Sequence, residues 1–380
     1  MPQLLLIKIA VFVATVGYGI TFPLLAIRLE DMGVSGKLIG LNGAMPALGW
    51  ILGAVVFPAL QARFGIKRVL LAFLLVGVAA LAALSQSADY ISATALRFFF
   101  GGGVGVFFRG IEYLINAISA DNVRGRNLGI YNVVFMAGIV IGSALQPMLG
   151  ADAASAFGPP LLAFLIASIL IAALPRFQEP EAGTSAMPVS WRAIAIAPAA
   201  FLAVLAYGLY EDIAVYLTSV YALRNGLGDA VAAYTLTAAS LGNLFLPIPI
   251  AMLSDRVHRL IPLLGCAIIV VVASLLIPFT LATPAVFLFA LFVWGGSAGA
   301  LYSIALAIVG DTFKGRELVS ANAVFGIIYA SGSLIGPMLN GAALDTYNTH
   351  GLMLSSAGIF SVLILGIGLA HYFASRRTVT

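Results

Sequence analysis

The sequence predicts an all-α polytopic membrane protein in which twelve transmembrane helices form two pseudo-symmetric six-helix bundles. Composition and hydropathy point the same way: 62% of the 380 residues are hydrophobic and only 9% are charged, whereas a soluble protein carries roughly 25% charged residues. The mean hydropathy is +1.08. The apolar runs are continuous rather than alternating in segments of about ten residues as in a membrane barrel. Helices are therefore the expected spanning elements.

Twelve apolar segments are long enough to cross a bilayer, which takes about 20 residues. The breaks between them predict spans at 4–29, 37–60, 69–87, 91–119, 128–150, 158–174, 193–222, 230–253, 260–281, 284–309, 319–342 and 351–374. The first segment is longer than the apolar region of a signal peptide, roughly 7–15 residues. We therefore expect it to be a retained span.

Basic residues are concentrated in alternate loops, which predicts the orientation of the chain. Three basic residues lie in the opposite loops, Arg28, Lys37 and Arg224. Thirteen occupy the alternate loops and the tail: Arg63, Lys67, Arg68, Arg124, Arg126, Arg176, Arg192, Arg256, Arg259, Lys314, Arg316, Arg376 and Arg377. The positive-inside rule then places both termini in the cytoplasm of a bacterial-type inner membrane. This explains the net charge of +4 without a nucleic-acid partner.

The chain divides into two similar halves. The polar segment 175–192 predicts a flexible cytoplasmic linker between bundles at 1–174 and 193–380. The sequence "RGRNL" precedes span 5, and "KGREL" precedes span 11. Each half contains six spans and so has the same orientation, which predicts a pseudo-twofold axis along the membrane normal.

These loops resemble those of the major facilitator superfamily. In the loop between spans 2 and 3, Arg63, Gly65 and Arg68 fit its signature, but Ala62 and Pro58 replace the expected aspartate and glycine. The copy in the second half keeps Asp255 and Arg256, with His258 in the glycine position. The resemblance implies that Arg63, Gly65, Arg68, Asp255 and Arg256 form a conformational latch between the bundles.

Spans 4, 5 and 11 extend the resemblance. "RFFFGGGVG" is similar to the fourth-span signature of proton-coupled members, with Arg97 as its arginine. "GIYNVVFMAGIVIG" has the glycine spacing of the antiporter motif, although Ser143 stands where its proline is expected. Glu112 together with "RGRNLGIY" and "GSLIGP" resembles the YcaD-like branch. We expect a monomer in a lipid bilayer whose partners are a small-molecule substrate and protons.

Arg109 and Glu112 are a pair of opposite charges inside span 4. Together they would cost roughly 5–7 kcal/mol facing lipid. Their i,i+3 spacing lets them pair on one helix face, directed toward the bundle interior. The resemblance makes span 4 a cavity-lining helix, so we predict a role in binding substrate or protons. A purely structural ion pair between helices is the alternative.

Glu211 and Asp212 are adjacent acids in span 7, and Arg97 lies nearer the outer end of span 4. Close carboxylates compete for protons, which suits a proton carrier. Because adjacent helical residues point about 100° apart, one of the two is expected to face the cavity. The resemblance adds Arg97 to this proton-coupling set. A solvated helix end, and an arginine that only ties helices together, are the respective alternatives.

Aromatic residues are predicted to line the central cavity that spans 1, 4, 7 and 10 form in the resembling fold, although packing or a place in the interfacial belt is the commoner role for any one ring. The predicted substrate contacts besides Arg109 and Glu112 are Tyr18, Phe107, Phe108, Tyr207, Tyr210, Trp294, Tyr302 and Tyr329, with Phe22 as a further lining residue. Amides in spans 2, 5, 8 and 11 are expected to form interhelical hydrogen bonds: Asn42, Asn132, Gln146, Asn243, Asn322 and Asn340.

The sequence carries none of the enzyme motifs sought. It lacks a phosphate-binding loop of the Gly-rich Lys–Ser/Thr kind, an HExxH motif and paired CxxC motifs. Its three histidines are scattered, so we expect no metal site and no cofactor. We predict a proton-coupled secondary transporter that works by alternating access, with export of a small organic or amphipathic solute favoured. Uptake of an organic anion by symport or facilitated diffusion is the first alternative, and a non-transporting membrane sensor is the second.

Overall fold

A computed structural model describes residues 2–119, 123–149, 153–175, 190–346 and 350–377. Within these ranges, twelve apolar helices match the predicted spans in order. They are α1 (Gln3–Asp31), α2 (Gly36–Phe64), α3 (Ile66–Gln86), α4 (Tyr90–Ile118), α5 (Arg124–Met148), α6 (Gly158–Ala172), α7 (Pro198–Arg224), α8 (Gly228–Ser254), α9 (Leu260–Thr280), α10 (Pro284–Thr312), α11 (Gly315–Thr346) and α12 (Gly351–Ala370). Eleven of them are long and apolar enough to cross a bilayer, and α6 is shorter, at 15 residues.

The described chain forms two compact units. The first comprises Met1–Val34 and Leu41–Thr184, and the second comprises Ser35–Gly40 and Ser185–Thr380. In the first unit, α1 packs against α5 and α6, and α3 packs against α4 and α6. In the second unit, α7 packs against α11 and α12, and α9 packs against α10 and α12. The same pairings therefore recur six helices later. Most of the predicted linker, residues 176–189, lies outside the described residues.

Close helix crossings fix the frame of each unit. In the first unit, a Cβ atom added at Gly142 of α5 would overlap the carbonyl oxygen of Val16 in α1. In the second unit, a Cβ atom at Gly208 of α7 would lie 2.5 Å from the carbonyl oxygen of Tyr329 in α11. Small residues allow backbones to approach this closely in membranes. Both crossings consequently place mid-span side chains of one helix against the next.

Helix α7 is interrupted directly after its two acids. It is α-helical over Pro198–Asp212, π-helical over Ile213–Leu217 and α-helical again from Thr218. The N–H group of Ile213 donates to the carbonyl of Tyr210. The carbonyl of Leu209 instead accepts a hydrogen bond from the Nδ2 atom of Asn340 at 2.7 Å. Helix α11 thus satisfies a backbone group that the irregular turn leaves available, at the level of Glu211.

Candidate functional site

The first unit brings Arg109, Glu112 and Tyr131 together. The Nη1 atom of Arg109 lies 3.7 Å from the Oε2 atom of Glu112, within α4. The hydroxyl group of Tyr131, on α5, lies beside the carboxylate of Glu112 and interacts with it electrostatically. The side chains of Arg109 and Glu112 are 63% and 41% exposed. The pair therefore lies on an accessible face of α4 rather than inside the packed core of its unit.

An aromatic cluster lies behind this face. Tyr18 of α1 contacts Phe108 of α4, with ring centroids 5.9 Å apart, and Phe108 contacts Phe135 of α5 at 4.8 Å. Phe107 and Phe108 are almost fully buried. These rings fill the space between α1, α4 and α5, so packing within the unit accounts for their burial. Substrate contact by Tyr18, Phe107 and Phe108 stays a prediction.

Arg97 is a buried cation in α4. Its side chain is 2% exposed, and its Cζ atom lies 5.9 Å from the ring centroid of Phe22 in α1. A guanidinium group over an aromatic face gains cation–π attraction, which grows as the pair is desolvated. The structure therefore places Arg97 between α4 and α1. Its role in proton coupling stays a prediction.

The second unit holds a carboxylate beside three tyrosines. The hydroxyl group of Tyr329 in α11 donates a hydrogen bond to the Oε2 atom of Glu211 in α7. The ring centroid of Tyr207 lies 5.3 Å from that of Tyr302 in α10 and 6.2 Å from that of Tyr329. The centroids of Tyr302 and Tyr329 are 5.8 Å apart. Four predicted site residues, one of them acidic, therefore form one mid-span cluster from three helices.

Asn243 extends this cluster to a fourth helix. Its Nδ2 atom, on α8, lies 3.4 Å from the hydroxyl oxygen of Tyr207. The side chains of Glu211, Tyr302 and Tyr329 are partly exposed. The cluster consequently has an accessible side, in contrast to the sealed aromatic core of the first unit.

Two other predicted aromatic residues of the second unit lie deeper. Tyr210 packs edge-on against Trp294, with ring centroids 4.5 Å apart. Trp294 is 0% exposed, and its indole Nε1 atom donates to the hydroxyl oxygens of Ser274 and Ser356, at 2.9 and 3.2 Å. Asp212 follows Glu211 on α7 and is partly exposed. The structure does not bring Tyr210 and Trp294 to the accessible side, and their contact with substrate stays a prediction.

The residues predicted to latch the bundles lie at helix ends. Gly65 joins α2 to α3 with a φ of 81°, a conformation that L side chains rarely adopt. Arg63 and Arg68 are exposed on either side of it. In the second unit, Asp255 and Arg256 are exposed after α8. This backbone conformation therefore explains why a glycine occupies position 65. The latching role of all five residues stays a prediction.

Arg259, in the loop after α8, forms two ion pairs that the sequence did not predict. It donates to a carboxylate oxygen of Asp311 in α10, and its Nη1 atom lies 3.2 Å from the Oδ1 atom of Asp255. Hydrogen bonding to Asp311 raises the pKa of this guanidinium above its ordinary value. A cavity of about 570 Å³ opens beside these three residues. The loop–helix pairing was detectable only as opposite charges 52 residues apart.

Tyr131 and Asn340 are further polar residues whose partners the sequence did not reveal. Tyr131 belongs to the "RGRNLGIY" stretch that was noted for its loop residues, and Asn340 was expected to bond between helices without a known acceptor. The Oδ1 atom of Asn340 also accepts a hydrogen bond from the hydroxyl group of Ser355 at 2.6 Å.

Among the described residues, no group of three or more His, Cys, Asp or Glu side chains is arranged to hold a metal ion.

Comparison with known proteins decides the family. A sequence profile described as Major Facilitator Superfamily matches residues 8–236 and 196–379, nearly the whole chain. The chain belongs to the major facilitator superfamily. This family consists of transporters rather than enzymes, so the chain is a multi-pass membrane protein whose family supports secondary transport.

The relatives confirm the branch of the superfamily that the sequence resembles. The chain is 24% identical over 361 residues to the uncharacterized MFS-type transporter YfkF of Bacillus subtilis (strain 168), covering 92% of this chain and 91% of that protein. It is 21% identical over 371 residues to the uncharacterized MFS-type transporter YcaD of Escherichia coli (strain K12 / DH10B), covering 96% and 94%. The YcaD-like resemblance is therefore confirmed.

Solved structures confirm the superfamily fold. The nucleoside transporter NupG has a TM-score of 0.79 to this chain at 14% identity, covering 98% of this chain and 99% of that one. The D-xylose-proton symporter has a TM-score of 0.73 at 14% identity, covering 97% and 96%. At this identity the likeness concerns the fold alone, and it carries no substrate to this chain.

Proposed function

We propose that this protein is a proton-coupled exporter of a small organic or amphipathic solute, working as a monomer in a bacterial inner membrane with both termini in the cytoplasm. The observation that carries the proposal is a repeated one. Each unit holds a glutamate inside a span with a tyrosine hydroxyl group of a neighbouring helix beside it. Tyr131 adjoins Glu112 in the first unit, and Tyr329 donates a hydrogen bond to Glu211 in the second. Units 1–174 and 193–380, joined through 175–192, would alternate access to a central site.

Burial in a membrane makes such a carboxylate sensitive to protonation. A charged acid at a helix centre costs about 2.5–3.5 kcal/mol on insertion scales, and protonation removes most of that cost. A tyrosine hydroxyl can donate to the carboxylate and can also accept from the protonated acid. The same contact therefore persists in both protonation states, which is what a carrier that loads and unloads a proton requires.

Glu211 is the better proton carrier of the two, with Asp212 as a neighbour able to share its proton. Glu112 has Arg109 at 3.7 Å to balance its charge, whereas Glu211 forms no ion pair with the described residues. We assign Glu112 a different role: its ionised carboxylate pairs with Arg109, and protonation releases Arg109. Arg97, packed on Phe22, would transmit that change between α4 and α1.

Arg109 favours one alternative function. Its guanidinium is 63% exposed, and an arginine on an accessible mid-span face suits a carboxylate or phosphate group. Uptake of an organic anion with protons would use the same Glu112 carboxylate as the competing partner. A sensor role has no comparable observation in its favour.

Reconstitution in liposomes tests the proposal. Purified full-length protein is first screened by thermal shift against metabolites and drugs at two pH values, since a ligand that binds the native state raises its melting temperature. The ligands found are then offered to proteoliposomes with and without an imposed pH gradient. We expect accumulation to follow the gradient, and Glu112→Gln to impair it. Transport that ignores the pH gradient would refute the proton coupling, and intact transport by Glu112→Gln would remove that residue from the mechanism.

A further inference from the structure

The carboxylate of Glu211 combines an accessible position with the lack of a cationic neighbour. Its Oε2 atom accepts the hydrogen bond of Tyr329, and the side chain is partly exposed. Among the residues that the structure describes, no lysine, arginine or histidine forms an ion pair with it. Glu112, by contrast, lies beside Arg109. The second unit therefore presents an unbalanced negative charge whenever Glu211 is ionised.

A cluster of aromatic rings adjoins that charge through Tyr329. Tyr207, Tyr302 and Tyr329 lie with their centroids 5.3–6.2 Å apart, and Phe325 lies 5.4 Å from Tyr302. The ring planes differ in direction, since Tyr207 and Tyr329 stack at 20° whereas Tyr302 meets Tyr329 at 69°. Differently inclined π faces next to a carboxylate are the surroundings that attract ammonium groups.

This combination discriminates among classes of solute. The negative faces of the rings and the carboxylate repel an anion alike. A neutral polyol would satisfy the hydroxyl groups but would leave the ionised carboxylate unbalanced in the membrane. A positively charged nitrogen on an apolar body matches the carboxylate and the rings together.

We propose that the cluster formed by Glu211, Tyr207, Tyr302 and Tyr329 binds the ammonium group of an organic cation, a protonated or quaternary amine. The proposal rests on the transport function proposed above and names the class of its substrate. Asn243 holds the hydroxyl group of Tyr207 from α8, so the cluster is supported from four helices of one unit.

A proton and the ammonium group then compete for the same carboxylate. Binding of the cation excludes the proton, and binding of the proton neutralises the site, which gives exchange of one for the other. The groups that face Glu211 or adjoin it are Tyr207, Tyr210 and Asp212 on α7, Tyr302 on α10, Tyr329 on α11 and the neutral Asn243 on α8. Of these side chains, only Asp212 carries a second carboxyl group.

Matched probes test the charge requirement. Choline, its neutral isostere 3,3-dimethylbutan-1-ol, the anion 3,3-dimethylbutanoate and the larger cation benzyltrimethylammonium are titrated calorimetrically into purified full-length protein in lipid nanodiscs. We expect the two cations to bind, the neutral alcohol to bind at least about tenfold more weakly, and the anion not to bind. Cation affinity should fall as the pH is lowered toward the carboxyl range.

Variants locate the binding. Glu211→Gln keeps an acceptor for Tyr329 and should lose cation binding and its pH dependence. Asp229→Asn, which removes an exposed carboxylate in the first turn of α8, should retain both. Tyr302→Leu should weaken cation binding several-fold, whereas Asn322→Ala, at an exposed position of α11, should leave it unchanged. Equal affinity for choline and the neutral alcohol, absence of binding by both cations, or full binding by Glu211→Gln overturns the proposal.

Transport measurements distinguish this proposal from the function on which it rests. Cation binding that requires Glu211, but without counterflow of labelled choline or benzyltrimethylammonium in proteoliposomes, would refute transport and keep the ammonium site. Proton-coupled transport of a neutral or anionic solute, unaffected by either cation, would keep the transport function and refute the ammonium site.

Discussion

The crossing of α1 with α5 and the crossing of α7 with α11 have the same frame but different chemistry. Gly142 of α5 meets Val16 and Gly19 of α1, and Gly332 of α11 meets Leu205 and Gly208 of α7. One turn beyond the crossing glycine, however, the first unit has Phe22 where the second has Glu211.

The opposing helices differ in the same way. Gly19 faces the carbonyl of Ile139 in α5, and Gly208 faces the carbonyl of Tyr329 in α11. Ile139 thus takes the place of the tyrosine that donates to Glu211. Helix α7 also contains a π-helical turn after this point, whereas α1 is α-helical throughout Pro2–Asp31. The comparison teaches that the two units share the same helix crossings, whereas the polar side chains next to these crossings differ between the units.

The largest effect is expected from removing the charge that only the second crossing contains. Glu211→Gln should reduce proton-driven transport in proteoliposomes to the level of empty liposomes, because no proton can be exchanged at that position. Phe22→Tyr, at the matching position of the first unit, keeps an aromatic ring beside Arg97 and should retain proton-driven transport. Equal losses in the two variants would contradict the asymmetry between the units.

Alanine at the crossing glycines should affect both units alike. Gly142→Ala and Gly208→Ala each force a methyl group against a backbone carbonyl, and we expect a cost of about 1–3 kcal/mol in stability. Thermal unfolding in nanodiscs measures it. Gly129→Ala in α5 and Gly326→Ala in α11 are matched controls, since a Cβ atom there meets nothing within 4 Å. If either variant has the same melting temperature as its control, the close helix crossing is not equally important in the two units.

A smaller effect is expected from the hydrogen bond that supports the irregular turn of α7. Asn340→Ala removes the donor to the carbonyl of Leu209, and interhelical hydrogen bonds in membranes contribute about 0.6 kcal/mol on average and at most about 1.7 kcal/mol. We expect a loss of stability in that range, measured by thermal unfolding. The exposed Asn322 of the same helix provides the control variant Asn322→Ala, which should unfold like the wild type.

The smallest effect concerns the starts of α4 and α10, two helices of 29 residues each. Asp89 caps α4 by accepting from the N–H group of Ser92, whereas Thr283 before α10 forms no such bond through its side chain. Hydrogen bonds from the hydroxyl and N–H groups of Ser92 hold the pKa of Asp89 below its ordinary value of 3.8. This carboxylate therefore stabilises the fold above that pH and loses its contribution as the pH falls through the lowered pKa.

Thermal unfolding across pH tests the cap. Asp89→Ala should melt slightly below the wild type at neutral pH and converge with it in acid below the pKa of Asp89, while Thr283→Ala should melt with the wild type throughout. A difference that persists unchanged in acid would assign the effect of Asp89 to something other than its charge.

Much of the fold followed from residue patterns. The apolar runs predicted every span, because a bilayer demands about 20 apolar residues for each crossing and leaves helices as the open solution. The repeated "RGRNL" and "KGREL" loops predicted the equivalence of α5 and α11. The short α6 and the π-helical turn of α7 were not predicted, since hydropathy reports the length of an apolar run and not its hydrogen-bond pattern.

The candidate site was predicted less completely. Arg109, Glu112 and Glu211 were found from sequence because charge is costly and therefore conspicuous in an apolar segment. The partners Tyr131 and Tyr329 could not be assigned, since a tyrosine in a span is equally suited to packing. The sequence predicted substrate contact for buried and partly exposed rings alike, because period and composition do not reveal how deeply a ring is buried. The buried rings are Phe107, Phe108, Tyr210 and Trp294, and the partly exposed ones are Tyr302 and Tyr329.

The sequence by itself thus determined that this chain spans a membrane twelve times, that its halves repeat, and which spans carry charge. These are one-dimensional properties, set by the transfer free energy of each residue into the bilayer. Only the tertiary structure decided that Tyr131 of α5 lies beside Glu112, while Glu211 meets Tyr329 of α11 with no basic residue of the described chain beside it. Such pairings depend on which helices cross and at what height, and the close approach of backbones at Gly142 and Gly208 sets both.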